Sequence, residues 1–270
     1  MEEAPGDKQL ARLLAPLRED PGRAAILTDI DGTIAPIKGR PEEAGVPEGT
    51  RELLRRLAAR YALVAGISGR QAEDARRIVG VEEIAYSGNH GFELLLPGTD
   101  EPQPDPSLDG HEDEAGRFVA ELDRAELDRA GFRVEDKGAI VALHWRGAPN
   151  EGEAESLASE IASEAEWQDL VPHLGRKVLE IRPNVPINKG IAVAAMLAAE
   201  PLRAALYAGD DRTDVDGFTA LRMLRADGDL EAVACIAIAS PETSPEVLES
   251  ADLSVPGPEG FVAVLEALAE

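Results

Sequence analysis

A short apolar run, Ala24-Ala25-Ile26-Leu27, leads into Asp29-Ile30-Asp31-Gly32-Thr33, and this junction constrains the fold more than any other stretch of the chain. The run has the length and composition of a buried strand over residues 24–28. Side chains two apart on an extended backbone share a side. The spacing therefore predicts that Asp29 and Asp31 project together where the strand stops. Open α/β sheets keep their sites outside the carboxyl ends of strands. A carboxylate pair placed there can hold Mg²⁺ and attack a phosphorus atom. The plainer alternative is a pair of aspartates capping the turn that follows.

The remainder of the chain repeats a strand-then-helix alternation. Leu10, Leu13, Leu14 and Leu17 give an apolar face to a helix over 7–20. Pro47 sits near the start of a helix reaching 60, with Leu53, Leu54 and Leu57 on its buried side. A strand is expected over 61–67, ending in Ser68-Gly69-Arg70, then a helix over 71–79. A short strand over 84–86 runs into Ser87-Gly88-Asn89-His90-Gly91. Such alternation indicates a parallel sheet. It breaks at 97–110, which is rich in Pro, Asp and Gly. From there to 183 the pattern predicts a helix over 112–130, strands near 132–135 and over 139–146, a helix over 151–165 and a strand over 177–182. The alternating strands suit an antiparallel sheet with one helical face. The first pattern then resumes: helix 189–199, strand 204–208, helix 214–225, strand 232–239 and helix 258–269. The fold class is α/β, a Rossmann-like parallel-sheet core over 1–96 and 184–270 with an inserted α+β domain over 97–183.

Charge narrows the partners. Asp and Glu number 52 against 27 Lys and Arg, a formal net charge of -25, which excludes nucleic acid as a partner. An anionic substrate would need local cations, and screening over roughly 8 Å at physiological salt permits that. No run approaches the length of a membrane span, and the acidic N-terminus shows no basic-then-apolar leader. The single Cys235 lies in an apolar run and reads as a buried strand residue. These features lead us to expect a cytoplasmic protein with no membrane partner. The pattern does not encode the oligomeric state; a monomer is the expectation.

The chemistry-bearing residues recur at strand ends and helix starts. As a nucleophile, one of the first two aspartates can take up a phosphoryl group, dividing one hard hydrolysis into two easier steps. The other can protonate the leaving alcohol and later deprotonate water. Asp210, Asp211, Asp214 and Asp216 crowd into seven residues past the strand over 204–208; such a cluster repels itself unless a cation neutralises it. Asp29 and Asp210 are the best direct ligands for Mg²⁺, with Asp214 acting through a water or a further hydrogen bond. Asp216 reads as a helix-start charge complementing the dipole. Lys189 opens an apolar helix against that dipole, a placement that a bound phosphate would explain. Ser68 can donate to a phosphoryl oxygen, or act as an N-cap.

In their order along the chain, Asp29-x-Asp31-Gly-Thr, Ser68, Lys189 and Asp210-Asp211-x-x-Asp214 resemble the four motifs of the haloacid dehalogenase-like superfamily of phosphohydrolases. The insert sits where that superfamily carries its larger type of cap. Residues 31–37, Ser68-Gly69-Arg70, 88–93, 135–138 with His144-x-Arg146, Glu180-x-Arg182-Pro183 and 209–214 are similar to the trehalose-6-phosphate phosphatases. The resemblance implies a Mg²⁺-dependent hydrolysis of trehalose 6-phosphate through an aspartyl phosphate, the last step of trehalose biosynthesis. It implies catalytic roles for Asp29, Asp31, Ser68 and Lys189, and metal binding by Asp29, Asp31, Asp210, Asp211 and Asp214. It implies substrate contacts from Arg70, Asn89 and His90 in the core and from Lys137, His144, Arg146, Glu180 and Arg182 in the cap.

The residues agree in part. His144 and Arg146 share parity on one expected strand, as do Glu180 and Arg182 on another. The same parity also suits a plain solvated sheet face, and His90 could simply order its loop. Trp145 and Trp167 are expected in the cap core, and His111 and His173 in solvent. The family usually has Glu where Val215 stands. Other readings are a phosphatase for another sugar phosphate, such as sucrose phosphate or a glycosyl phosphoglycerate, and a catalytically inactive sugar-phosphate sensor. The complete set of Asp29, Asp31, Ser68, Lys189 and Asp210 exceeds what a sensor needs. At this length a fused synthase has no room, so a trehalose-phosphate synthase is expected as a separate chain, and whether it is a physical partner stays open in the sequence.

Overall fold

A computed structural model describes residues 5–36, 45–175 and 177–270; Ile37, the last residue of the first similar stretch, lies outside them. The chain divides into two compact units, Met1–Gln103 with Ile187–Glu270, and Pro104–Pro186. Among the described residues no helix is long and apolar enough to cross a membrane.

The first unit follows the expected alternation. Helix α1 (Pro5–Glu19) precedes β1 (Ala24–Asp29), followed by α2 (Glu48–Ala58), β2 (Leu63–Ile67), α3 (Ala72–Val79), β3 (Ala85–Gly88) and β4 (Glu93–Leu95). The short β5 (Gln103–Pro104) ends this series. Among the described residues the sheet has eight strands in the order β12-β11-β10-β1-β2-β3-β4-β5, with β10 (Ala204–Gly209), β11 (Ala232–Ala239) and β12 (Leu253–Pro256) contributed by the chain after residue 187. From β1 to β3 and from β10 to β12 every pairing is parallel; β4 runs antiparallel to β3.

β1 is buried along its whole length because both sheet faces are covered. Ala24 and Ile26 face one apolar cluster with Leu14, Leu54 and Phe261; Ala25 and Leu27 face the other with Val193, Phe218 and Leu221. Helices α7 (Lys189–Ala198), α8 (Asp214–Asp227) and α9 (Pro245–Ser250) cover the second face, and α1, α2, α3 and α10 (Gly257–Ala269) the first. Each fully buried Leu or Ile contributes roughly 1.5–3 kcal/mol. Ile26, Leu27 and Ile30 together therefore rival the whole net stability of a domain, about 5–15 kcal/mol. Shifting the strand that carries Asp29 would expose these side chains.

Register aligns the strand ends. Asp29 stands level with Ile67 on β2, and Thr28 with Ala208 on β10. Ser68 and Asp210, each one residue past its strand, thus leave the sheet beside Asp29. β1 and β10 are where the strand order reverses direction, the place at which open α/β sheets form their crevice. Cys235 is fully buried on β11, as its apolar run indicated.

The second unit is a four-stranded antiparallel sheet, ordered β6-β7-β9-β8. Its strands are β6 (Arg133–Asp136), β7 (Val141–His144), β8 (Leu170–Gly175) and β9 (Val178–Pro183), and its helices α4 (Glu114–Glu121), α5 (Arg124–Ala130) and α6 (Glu151–Trp167). One helix was expected over 112–130; there are two. Leu122 is extended, and the Asp123 carboxylate caps α5 by accepting from the amides of Ala125 and Glu126, a local competitor to helix continuation. β8 was not expected at all: Pro172 demotes the run in sequence, yet β8 lies at the sheet edge, where proline is tolerated. Trp145 is 3% exposed and packs edge-on to Phe132 at 5.8 Å. Trp167 departs from expectation. It ends α6 and is 90% exposed, because the apolar stripe of that helix runs through Ala154, Ala158, Ile161, Ala162 and Ala165 instead.

Candidate active site

Asp29 and Asp31 do not share an extended backbone. β1 stops at Asp29, and the amides of Thr33, Ile34 and Ala35 all turn back onto the Ile30 carbonyl. Gly32 makes this turn at φ +87°, where an L side chain is strained. A β-carbon there would also lie 2.3 Å from the Asp210 carboxylate. The turn thus brings the loop after β10 against the loop after β1, and separates the two aspartates into different surroundings.

Asp29 belongs to a buried charge network. The Lys189 ammonium donates to Asp29 Oδ1 at 2.7 Å and to Asp214 Oδ1 at 2.7 Å. Asp214 Oδ1 also accepts from the Tyr207 hydroxyl at 2.7 Å, while its Oδ2 accepts the amides of Asp210 and Asp211 at 3.0 and 2.9 Å. All four acceptor positions of the Asp214 carboxylate are filled. Gly209 admits this arrangement, since a β-carbon on it would sit 2.2 Å from the Asp214 carboxyl carbon. Lys189 is 3% exposed and Asp214 fully buried. Asn188 caps α7 by accepting from the Ile191 amide, so Lys189 is free to point inward. The charge that offsets its unfavourable place at a helix start is this pair of carboxylates.

Among the described residues, three carboxylates face one ammonium here. Oxygens of Asp29, Asp210 and Asp214 lie within 4.8 Å of one another. Burial pushes the Asp29 carboxyl well above the usual carboxylate range; Lys189 pulls it back, and Asp214 and Asp210 add to the rise. Burial first, then Asp214, pushes Asp210 up to about 7. Burial opposes the charge on Lys189, but Asp214 and Asp29 outweigh it and hold the ammonium above its ordinary value. The surplus negative charge and the all-oxygen donor set fit a hard divalent cation such as Mg²⁺. Asp29 and Asp210 would be its direct ligands, since the acceptor positions of Asp214 are already used. Asp31 and Asp211 stand outside this group: Asp31 is held by Arg70, and Asp211 is exposed and accepts the Arg212 amide at 2.6 Å.

Around this centre lie the loops after β2 and β3. Ser68 is buried; its amide donates to the Ser87 carbonyl at 2.8 Å, and its hydroxyl accepts the Arg70 amide at 3.1 Å. Ser68 does not cap α3, whose N-cap is Gln71; the Ala72 amide is satisfied by Glu93 Oε1 at 2.6 Å. Asn89 and His90 adopt left-handed φ of 50° and 60°. Their amides donate to the Arg70 and Ser68 carbonyls, stitching the two loops together.

Within the second unit, Glu180 accepts from Lys137 Nζ at 2.9 Å and from the Arg182 guanidinium. Glu180 and Arg182 share a face of β9, as their parity indicated. His144 Nε2 lies 2.6 Å from Glu135 Oε2, and that hydrogen bond holds the Glu135 carboxyl below its usual range. Arg146 is a correction: β7 ends at His144, so Arg146 lies in the following turn. There it lines a cavity of about 390 Å³ with Trp145, Glu151 and Lys177. His111 is half-buried against Glu114 at 2.9 Å, not in open solvent, whereas His173 is exposed.

Three residues escaped the sequence reading. Tyr207 looked like one more apolar residue of a buried strand. Thr33 donates to Asp210 Oδ1 at 3.4 Å across 177 residues of chain. Glu135 becomes a partner of His144 only through the β6–β7 register, in which Arg133 opposes His144. Val215, at the position where the resembling family usually has Glu, packs against the second apolar cluster.

Comparison with known proteins follows the same lines. A family model described as trehalose-phosphatase matches residues 27–247. The chain is 34% identical over 246 residues to a trehalose-phosphate phosphatase of Mycobacterium avium, covering 83% of this chain and 61% of that one. It is 35% identical over 224 residues to a Mycobacterium tuberculosis protein named as an uncharacterized glycosyl hydrolase, covering 79% of this chain but 16% of the other. The chain thus spans less than two thirds of these relatives. The C-terminal domain of a C. albicans trehalose-6-phosphate phosphatase has the same fold, with a TM-score of 0.72 at 22% identity and 96% of each chain covered.

Replacing Lys189 with Met would leave Asp29 and Asp214 buried without their cation. Urea denaturation of Lys189→Met should show a loss of about 3–5 kcal/mol. A loss under about 1 kcal/mol would mean the network is not a structural element.

Proposed function

The chain belongs to the trehalose-phosphatase family, and on that premise we propose that it hydrolyses trehalose 6-phosphate to trehalose and phosphate, with Mg²⁺ and an aspartyl phosphate on Asp29. The observation that carries this reading is the meeting of Asp29, Lys189, Asp210 and Asp214 at the point where the strand order reverses. In the first step an Asp29 oxygen attacks phosphorus, and the bond from phosphorus to the sugar oxygen breaks. Asp31 gives that oxygen a proton. In the second step Asp31, now a carboxylate, takes a proton from water as the water oxygen attacks phosphorus and the bond to Asp29 breaks. Lys189 keeps one Asp29 oxygen engaged and supplies positive charge to the phosphoryl group as charge develops on it. The Ser68 hydroxyl can donate to a phosphoryl oxygen. When bound, Mg²⁺ would add electrostatic stabilisation of the same oxygens.

Sugar recognition falls to the inserted unit in this proposal. Glu180 is fixed between Lys137 and Arg182, and Glu135 beside His144, so donors and acceptors alternate on one sheet face. Fixed alternation suits sugar hydroxyls, which both donate and accept. Asn89, His90 and Arg146 are the further candidate contacts. A cytoplasmic location, a monomeric state and a separate synthase supplying the substrate belong to the same proposal.

Three outcomes test it. In a panel of sugar phosphates, trehalose 6-phosphate should give the highest kcat/KM; sucrose phosphate or a glycosyl phosphoglycerate ranking above it would replace the substrate, and no phosphate release from any would favour a sensor. Asp29→Asn should fold as the parent does and lose more than 99% of kcat, since a hundredfold loss corresponds to only ~2.7 kcal/mol; greater retention removes Asp29 as nucleophile. Because Asp210 carries its proton up to about 7, protons compete with Mg²⁺ below that pH. Calorimetric titration should show affinity rising about tenfold or more from pH 6 to pH 8, since the raised Asp29 carboxyl adds to the competition. A flat profile would remove Asp210 from the ligand set.

A further inference from the structure

We propose that Arg70 is a positioning residue for Asp31, setting the direction of its carboxylate for proton transfer, and that it does not bind substrate; this rests on the reaction proposed above. Arg70 Nε donates to Asp31 Oδ2 at 2.6 Å and its second nitrogen to Oδ1 at 2.8 Å, a two-point fork that fixes both the place and the plane of a carboxylate. Asp31 needs such a fork. It lies past the end of β1 in a turn, and its side chain is 36% exposed, so burial does not hold it. Asp29, by contrast, is held by a buried ammonium.

Arg70 is itself well placed to act as a brace. Its amide donates to the Ser68 hydroxyl and its carbonyl accepts the Asn89 amide. The guanidinium therefore projects from a backbone pinned to the loops after β2 and β3, 39 residues from its partner. A general acid contributes only when its oxygen lies within hydrogen-bond reach of the leaving atom. An unbraced Asp31 would spend most of its time elsewhere, and turnover would fall while substrate affinity stayed. A substrate-binding arginine would behave in the opposite way.

The test measures kcat and KM for trehalose 6-phosphate and for p-nitrophenyl phosphate on the parent, Arg70→Ala, Arg70→Gln and Arg70→Lys, each checked for a parent-like thermal transition. p-Nitrophenolate departs without needing a proton, so its release does not call on Asp31 as an acid. For the sugar ester, kcat in Arg70→Ala should fall about a hundredfold, in line with loss of general acid catalysis, with KM nearly unchanged. For p-nitrophenyl phosphate, kcat/KM should change little. Free guanidinium, well below denaturing concentration, should restore part of the lost turnover in Arg70→Ala, and Arg70→Lys should recover less than half. A raised KM with preserved kcat overturns the proposal in favour of substrate binding. Equal losses of kcat/KM on both esters without guanidinium rescue overturn it in favour of a general structural role. If the parent prefers another sugar phosphate, the substrate reading fails alone and the same comparison is read on that ester; a parent that cleaves no phosphate ester overturns both.

Discussion

The Lys189 ammonium, seated between Asp29 and Asp214, is the interaction on which the rest of the site depends. It ties together the end of β1, the start of α7 and the start of α8, three pieces of chain that are distant in sequence. A buried charge is tolerated only where its partners repay the loss of water. Here the repayment is shared: Asp29 gives one oxygen to Lys189, while Asp214 spreads its acceptors over Lys189, Tyr207 and two backbone amides. The arrangement makes Asp214 an anchor. Among the described residues it leaves one oxygen of Asp29 and one of Asp210 with no hydrogen-bond donor.

That surplus charge explains the rest of the local design. Burial first, and then neighbouring carboxylates that Lys189 does not balance, push Asp29 and Asp210 toward their protonated forms. A divalent cation would reverse that tendency, and a phosphate would then find positive charge in a strongly acidic protein. The local balance matters more than the net charge of -25, because fields from distant exposed carboxylates are screened within about 8 Å. The turn at Gly32 brings the loop after β1 against the Asp210 carboxylate, and the missing side chain of Gly209 lets Asp214 close onto its own loop.

The inserted unit solves a related problem differently. Its charges lie on a sheet face and are paired in place, Glu180 with Lys137 and Arg182, Glu135 with His144. Parity along a strand made the Glu180–Arg182 neighbourhood legible, because it needs only the period of two. The Glu135–His144 pair depends on which residues of β6 and β7 stand opposite each other, and a sequence pattern carries no register. Arg146 shows the limit of parity, which holds only while the strand lasts. Trp167 shows a similar limit for hydrophobicity: an apolar side chain beyond the buried stripe of its helix has nothing to pack against.

Local sequence encodes the sheet class, the order of most elements and the identity of the residues at strand ends. These follow from local physics: apolar runs of strand length, helical periodicity and turn-forming Gly, Pro and Asp. The edge strand β8 and the break between α4 and α5 were missed because sheet pairing and a single capping carboxylate decided them. The tertiary structure alone decided which charges meet. Asp29 and Asp31, two residues apart, end in separate ion pairs with Lys189 and Arg70, whereas Thr33 and Asp210, 177 apart, share a hydrogen bond. The reason is that electrostatic partners are chosen by distance in space, and in a parallel sheet the strand ends nearest in space are set by strand order and register, which no local stretch of sequence encodes.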